Sequence, residues 1–189
     1  MDVTTTKKSF LKKLLAIVLS FGPGIFAIGY TIGSAEHDII SQRMKDCPLF
    51  IWPVFKENDE DHFVLLSQMQ DKFVLCTFLE EYKRSPDTAS PWITVAVYDD
   101  FCKEKNMALV RGDFTPNLTK AEGDTTSRMI LHGYHDDEAF KHIHNFNKQP
   151  DQFDYNNFLT FFKSVHKDLK EDAEARKTQE LAEDIQPNV

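Results

Sequence analysis

The sequence predicts an α+β fold, mainly an antiparallel sheet flanked by helices, carried behind one N-terminal transmembrane helix. Three observations lead there. Residues 14–33 carry no charge, five short segments rich in aliphatic and aromatic residues are separated by polar or proline-bearing breaks, and the last third of the chain holds an apolar stripe at helical spacing. The chain divides accordingly into a basic segment (1–13), a transmembrane helix (14–33), a connector helix (34–46), an α+β domain (47–170) and a charged C-terminal tail (171–189).

The first element is the run LLAIVLSFGPGIFAIGYTIG, twenty uncharged residues from Leu14 to Gly33. A helix rising about 1.5 Å per residue needs about twenty to cross the hydrocarbon core. Lys7, Lys8, Lys12 and Lys13 precede the run, and Glu36 and Asp38 follow it. That bias places the N-terminus on the cytosol-like or matrix side and the domain in the opposite compartment. The small residues Gly22, Gly24, Ala27 and Gly29 would let the helix pack closely against another. The expected partners are therefore the lipid bilayer, through residues 14–33, and other subunits of a membrane protein complex. Two other readings fit the same residues: a cleaved signal peptide, and a buried core hairpin broken at Gly22, Pro23 and Gly24.

Behind the run, Ile39, Ile40 and Met44 recur at helical spacing up to Cys47, where Pro48 ends the connector. PLFIWPVF, HFVLLSQMQ, KFVLCTFLE, WITVAVYDD and MALVRGDF read as five strands, the second and third joined by a hairpin around Gln70 and Asp71. A helix follows over LTKAEGDTTSRMILHGY, weakened on paper by Gly123. From Tyr155, the residues Phe158, Leu159, Phe161, Phe162, Val165 and Leu169 make one apolar helical face, which dissolves beyond Lys170 into mixed charge.

A net charge of -8 argues against nucleic acid as a partner, because phosphate backbones select clustered Lys and Arg. Sixteen phenylalanines against seven glycines are enough to fill a core. Cys47, Cys76 and Cys102 lack CxxC or CxxH spacing and read as buried or free thiols. His132, His135, His142 and His144, with Asp136, Asp137 and Glu138 among them, form a candidate metal cluster. They lack HExxH spacing, and His142 and His144 read as one face of a strand. Asp99 and Asp100 read as a strand-terminal turn or helix cap rather than paired catalytic carboxylates. The tripeptide Arg111-Gly112-Asp113 falls inside a strand, and the sequon Asn117-Leu118-Thr119 would matter only in the secretory pathway. The chain holds no GxSxG, P-loop or GxGxxG, so we expect no enzyme, no cofactor and no committed metal site.

Three features in order carry a family resemblance: Cys47, Pro48 and Phe50 at the end of the connector, the strand ALVRGDF from Ala108 to Phe114, and the block FNKQPDQFDY, in which Phe146, Asn147, Pro150, Phe153 and Tyr155 match. Over about residues 44–159 the domain resembles the mitochondrial F1-ATPase assembly chaperones that act on the β subunit. The resemblance implies an antiparallel sheet flanked by helices, the F1 β subunit as a partner, and no catalytic centre. The string GPGIFAIGYTIG is also similar to the first membrane helix of Nramp-type metal transporters. Thr31, Ile32, Gly33 and Ser34 stand there in place of that family's metal-holding Asp and Asn, so transport is not expected. Anchor and domain together favour a non-catalytic accessory subunit of a mitochondrial inner-membrane complex, associated with ATP synthase, its domain turned by the lysine bias toward the intermembrane space. The alternatives are a membrane-tethered chaperone for the F1 β subunit and a histidine-rich metal-binding protein.

Overall fold

The computed structural model describes residues 26–58 and 60–184. Strand β1 (Phe26–Gly33) leads into helix α1 (Ser34–Asp46), and β2 (Leu49–Phe55), β3 (His62–Gln70) and β4 (Phe73–Phe78) follow as a meander. A short helix α2 (Leu79–Arg84) precedes β5 (Pro91–Tyr98), and one turn of helix, α3 (Cys102–Lys105), precedes β6 (Met107–Phe114). Helices α4 (Lys120–His135) and α5 (Asp137–Lys148), a 3-10 turn (Pro150–Gln152) and the long α6 (Tyr155–Asp184) complete the chain. The six strands form one fully antiparallel sheet in the order β1-β6-β5-β4-β3-β2.

The five expected strands are all present, and a sixth stands where a membrane helix was expected. Residues 26–33 pair with β6 in unbroken register from Phe26↔Phe114 to Gly33↔Met107. The physical reason is legible in FAIGYTIG: Phe26, Ile28, Tyr30 and Ile32 recur with period two, the spacing of a half-buried strand. Their side chains share the face of Phe114, Val110 and Ala108, while Ala27, Gly29 and Thr31 take the opposite one. Ala27 and Gly29 are thus strand residues and not part of a helix-packing stripe; Gly22 and Gly24, with the rest of 14–25, lie outside the described residues. Among the described residues no helix is long and apolar enough to cross a membrane.

Helices α1, α4, α5 and α6 cover one face of the sheet. Ile40 and Met44 from α1, Met129 and Ile130 from α4, Ala139 and Ile143 from α5, and Phe158 and Phe162 from α6 are all buried in one cluster with Trp52, Leu65, Cys76, Val95 and Val110. Two glycines of α4 bring that helix onto the sheet. A Cβ on Gly123 would lie 2.6 Å from the Phe114 ring, and one on Gly133 would lie 2.6 Å from Trp52. The glycine that weakens the helix on propensity is therefore the one that admits a core ring. Arg43 of α1 closes the far end of α4. Its guanidinium donates to the carbonyls of Tyr134 and His135 and to the Asp137 carboxylate, and lies 4.5 Å over the Phe140 ring. A cation there complements the negative end of the helix dipole.

The start of α4 is fixed by a reciprocal cap. Thr119 Oγ1 accepts from the Glu122 N–H, and the Glu122 carboxylate accepts from the Thr119 N–H at 2.8 Å and from Lys56 Nζ at 2.9 Å. Burial works to raise the Glu122 pKa, but the bonds from Lys56 and Thr119 outweigh it and hold the group below its ordinary value of 4.5. A carboxyl depressed in the folded state contributes stability above its unfolded pKa, and the contribution is lost as pH falls below about 4.5. Glu122→Ala should therefore cost about 1–2 kcal/mol near neutral pH. The gap from wild type should narrow between pH 5 and pH 3 in urea unfolding; a gap independent of pH would rule out the charge's part in it.

Candidate partner-binding surfaces

The residues of the family-like motif meet at one place, the junction of β2 with the C-terminal helices. Phe50 is fully buried, and its ring lies 4.9–6.2 Å from those of Trp52, Phe146, Phe153, Phe158 and Phe162, mostly edge to face. The Cys47 carbonyl accepts from the buried Tyr134 hydroxyl at 2.8 Å, and the Pro48 carbonyl accepts from the Met69 N–H. Pro150 opens the 3-10 turn whose exit, Phe153, drops back onto Phe50 and Phe146. Asp154 then caps α6, accepting from the N–H groups of Asn156 and Asn157. Tyr155 and Pro150 are the exposed members of the set, the Tyr155 hydroxyl 3.4 Å from His62 Nε2.

Asn147 does something specific. Its side-chain oxygen accepts from the Leu49 N–H and its side-chain nitrogen donates to the Leu49 carbonyl, so the amide occupies the place a neighbouring strand would take at the outer side of β2. Together with Pro53 inside the strand, this closes the β2 edge of the sheet. The motif is thus a building device: it locks α5 and α6 to an edge strand and seals that edge.

The histidines do not gather. His142 and His144 lie on α5, a helix and not the strand the sequence suggests, and residues two apart on a helix point to different sides. The His142 ring lies tilted 5.0 Å from that of Phe161, and burial depresses its pKa; His144 lies near Phe140. Among the described residues no group of three His, Cys, Asp or Glu side chains is placed to hold a metal. The alternation of His and Phe in HIHNFN imitates a strand, but Asp136 caps a helix by accepting from the Ala139 N–H, and Ala139 and Ile143 are buried one turn apart.

Arg111 and Asp113 are not an accessible adhesion tripeptide either. The Arg111 side chain is 2% exposed, and its Nε and Nη2 donate to the Asp113 carboxylate at 2.7–2.8 Å. The three cysteines are free thiols, Cys47 and Cys76 buried and Cys102 half-buried. Asp99 ends β5 in a turn, its carbonyl accepting from the Cys102 N–H.

What remains for a partner is the second face of the sheet and its other edge. By the pairing register, Val64, Leu66, Phe73, Leu75, Thr94 and Tyr98 point away from the helical layer, and all are half-buried. This apolar face, bordered by the exposed Leu49, has the character of a surface that recognises another protein. Sequence reasoning missed it because strand alternation becomes a surface only when the order of strands is known.

Comparison with known proteins fits this architecture. No curated protein matches the chain. The ATP11 protein family matches residues 27–159, more than half of the chain, from the start of β1 to the first turn of α6 and so across the whole sheet. The match reaches into the stretch first assigned to a membrane helix and leaves out most of α6. The chain is accordingly a member of the ATP11 protein family.

Proposed function

We propose that this protein is a non-catalytic assembly chaperone of mitochondrial F1, holding the free β subunit until its partners arrive. The observation that carries the proposal is the family match across all six strands, over the same residues whose motifs resemble the F1 assembly chaperones. The physical character of the domain supports it. The half-buried apolar sheet face can shield a client, whereas catalysis would need polar groups converging on one point.

The accessory-subunit reading drew its motive from the transmembrane helix, and eight of that helix's twenty residues are strand β1. The lysines and residues 14–25 lie outside the described residues, and a client of this kind favours a domain in the matrix, where F1 is built. Purified full-length chain mixed with isolated F1 β subunit should give a discrete complex on size-exclusion chromatography, and none with assembled F1. Stable one-to-one presence in mature ATP synthase would restore the subunit reading, and failure to bind free β would overturn the chaperone.

A further inference from the structure

The two edges of the sheet are treated differently. At β2 the backbone is closed by Pro53 and by the Asn147 amide. At β1, by contrast, eight residues run without proline, charge or bulge, and among the described residues they pair only with β6. In an antiparallel pair every second residue directs its N–H and C=O outward, so one side of β1 is a row of donors and acceptors that no strand among the described residues pairs. Natural edges carry lysines, prolines or bulges to discourage strand addition, and FAIGYTIG has none of these.

The edge opens into a groove of about 680 Å³. Its floor is Ala27, Ile28 and Gly29, its wall Lys120, Asp124 and Arg128 at the start of α4, and its roof Ala173 and Arg176 of α6. Helix α6 begins over β2, where Phe158 and Phe162 pack, and overhangs β1 at Ala173 and Arg176, about 30 Å of helix later. Arg128 is held in place by Asp124 at 3.0 Å and lies 4.3 Å over the Tyr30 ring. Lys120 and Arg176 are exposed. Three cations against one carboxylate make this groove positive on a chain whose net charge is -8. At one end stands Phe26, 46% exposed and stacked on Phe114.

The geometry points to β1 as the docking strand for an extended, acidic segment of a partner protein, which adds to the sheet as a seventh strand with its carboxylates toward Lys120 and Arg176. Main-chain bonds along β1 supply affinity; the cations set polarity and register. The identity of that partner rests on the chaperone reading, under which the segment belongs to the free F1 β subunit. The docking mode itself can be tested without it.

A ten-residue peptide of alternating valine and glutamate, with a valine-lysine peptide as control, is titrated into the full-length chain while amide exchange is followed by NMR. Binding of the acidic peptide alone, with slowed exchange at alternate residues of 26–33, is the expected result. The exposed double variant Lys120→Glu/Arg176→Glu should bind it at least tenfold more weakly. Equal binding of both peptides, or protection of the outward β1 amides before any peptide is added, overturns the inference; the latter would mean that the chain's own residues already fill the edge. Capture of F1 β that survives the double variant also counts against this docking mode while leaving the chaperone function intact. Failure to capture F1 β with peptide binding preserved would do the reverse.

Discussion

Replacing Phe50 with alanine should lower the stability of this protein by about 3–5 kcal/mol. The ring is fully buried and is the common neighbour of five others, drawn from β2, α5, the 3-10 exit and α6. Its removal leaves a void that none of them can fill without leaving its own contacts, and edge-to-face ring pairs add about 0.5–1.5 kcal/mol each beyond their buried area. Against a typical domain stability of about 5–15 kcal/mol, such a loss threatens the fold at physiological temperature. Urea unfolding should show a lower midpoint at unchanged slope. Tyr155→Ala, in the same motif but 41% exposed, should cost far less. Equal losses at the two positions would mean that the aromatic cluster is not the keystone of the C-terminal helices.

Much of this architecture can be read from local sequence, and the failures have identifiable causes. Five strands, the β3–β4 hairpin and the helices over 34–46, 118–134 and from 155 onward follow from side-chain periodicity and breakers, which are properties of ten or so adjacent residues. In the hairpin, Asp71 adopts the left-handed conformation, φ 57°, that such a turn requires. Strand β1 was missed because two signals overlap in 26–33. The absence of charge over twenty residues suggested a membrane, while the period-two spacing of Phe26, Ile28, Tyr30 and Ile32 suggested a strand, and hydropathy alone ranks the first above the second. Its partner β6 lies about eighty residues away, so nothing local could decide between them. The capping box Thr119-x-x-Glu122 was visible but lay unread beneath the sequon. The sealing of β2 by Asn147 was not visible at all, because it needs residues 49 and 147 to be neighbours.

The pair Arg111–Asp113 should give the clearest non-additive response in the protein. Asp113→Ala takes from a guanidinium 2% exposed the carboxylate that accepts from both its Nε and its Nη2. Removing one partner of a buried ion pair costs about 3–5 kcal/mol, because the remaining charge stays desolvated without its compensation. The two side chains stand on the same face of β6, on the side away from the helices, between Gly29 and Ala27 of β1 and Ala96 and Thr94 of β5. The register neighbours across both strands are small or apolar and supply no second carboxylate. The double variant Arg111→Met/Asp113→Ala removes the charge together with its partner, and an apolar side chain of similar length can occupy the channel between the strands. It should therefore recover at least half of the single variant's loss, giving a coupling energy of about 1.5 kcal/mol or more in a double-mutant cycle. Strict additivity would show that the two residues act separately. In that case the tripeptide's position on β6, one strand in from the β1 edge, would be a packing detail, and not an ion pair that holds the charges of β6 together.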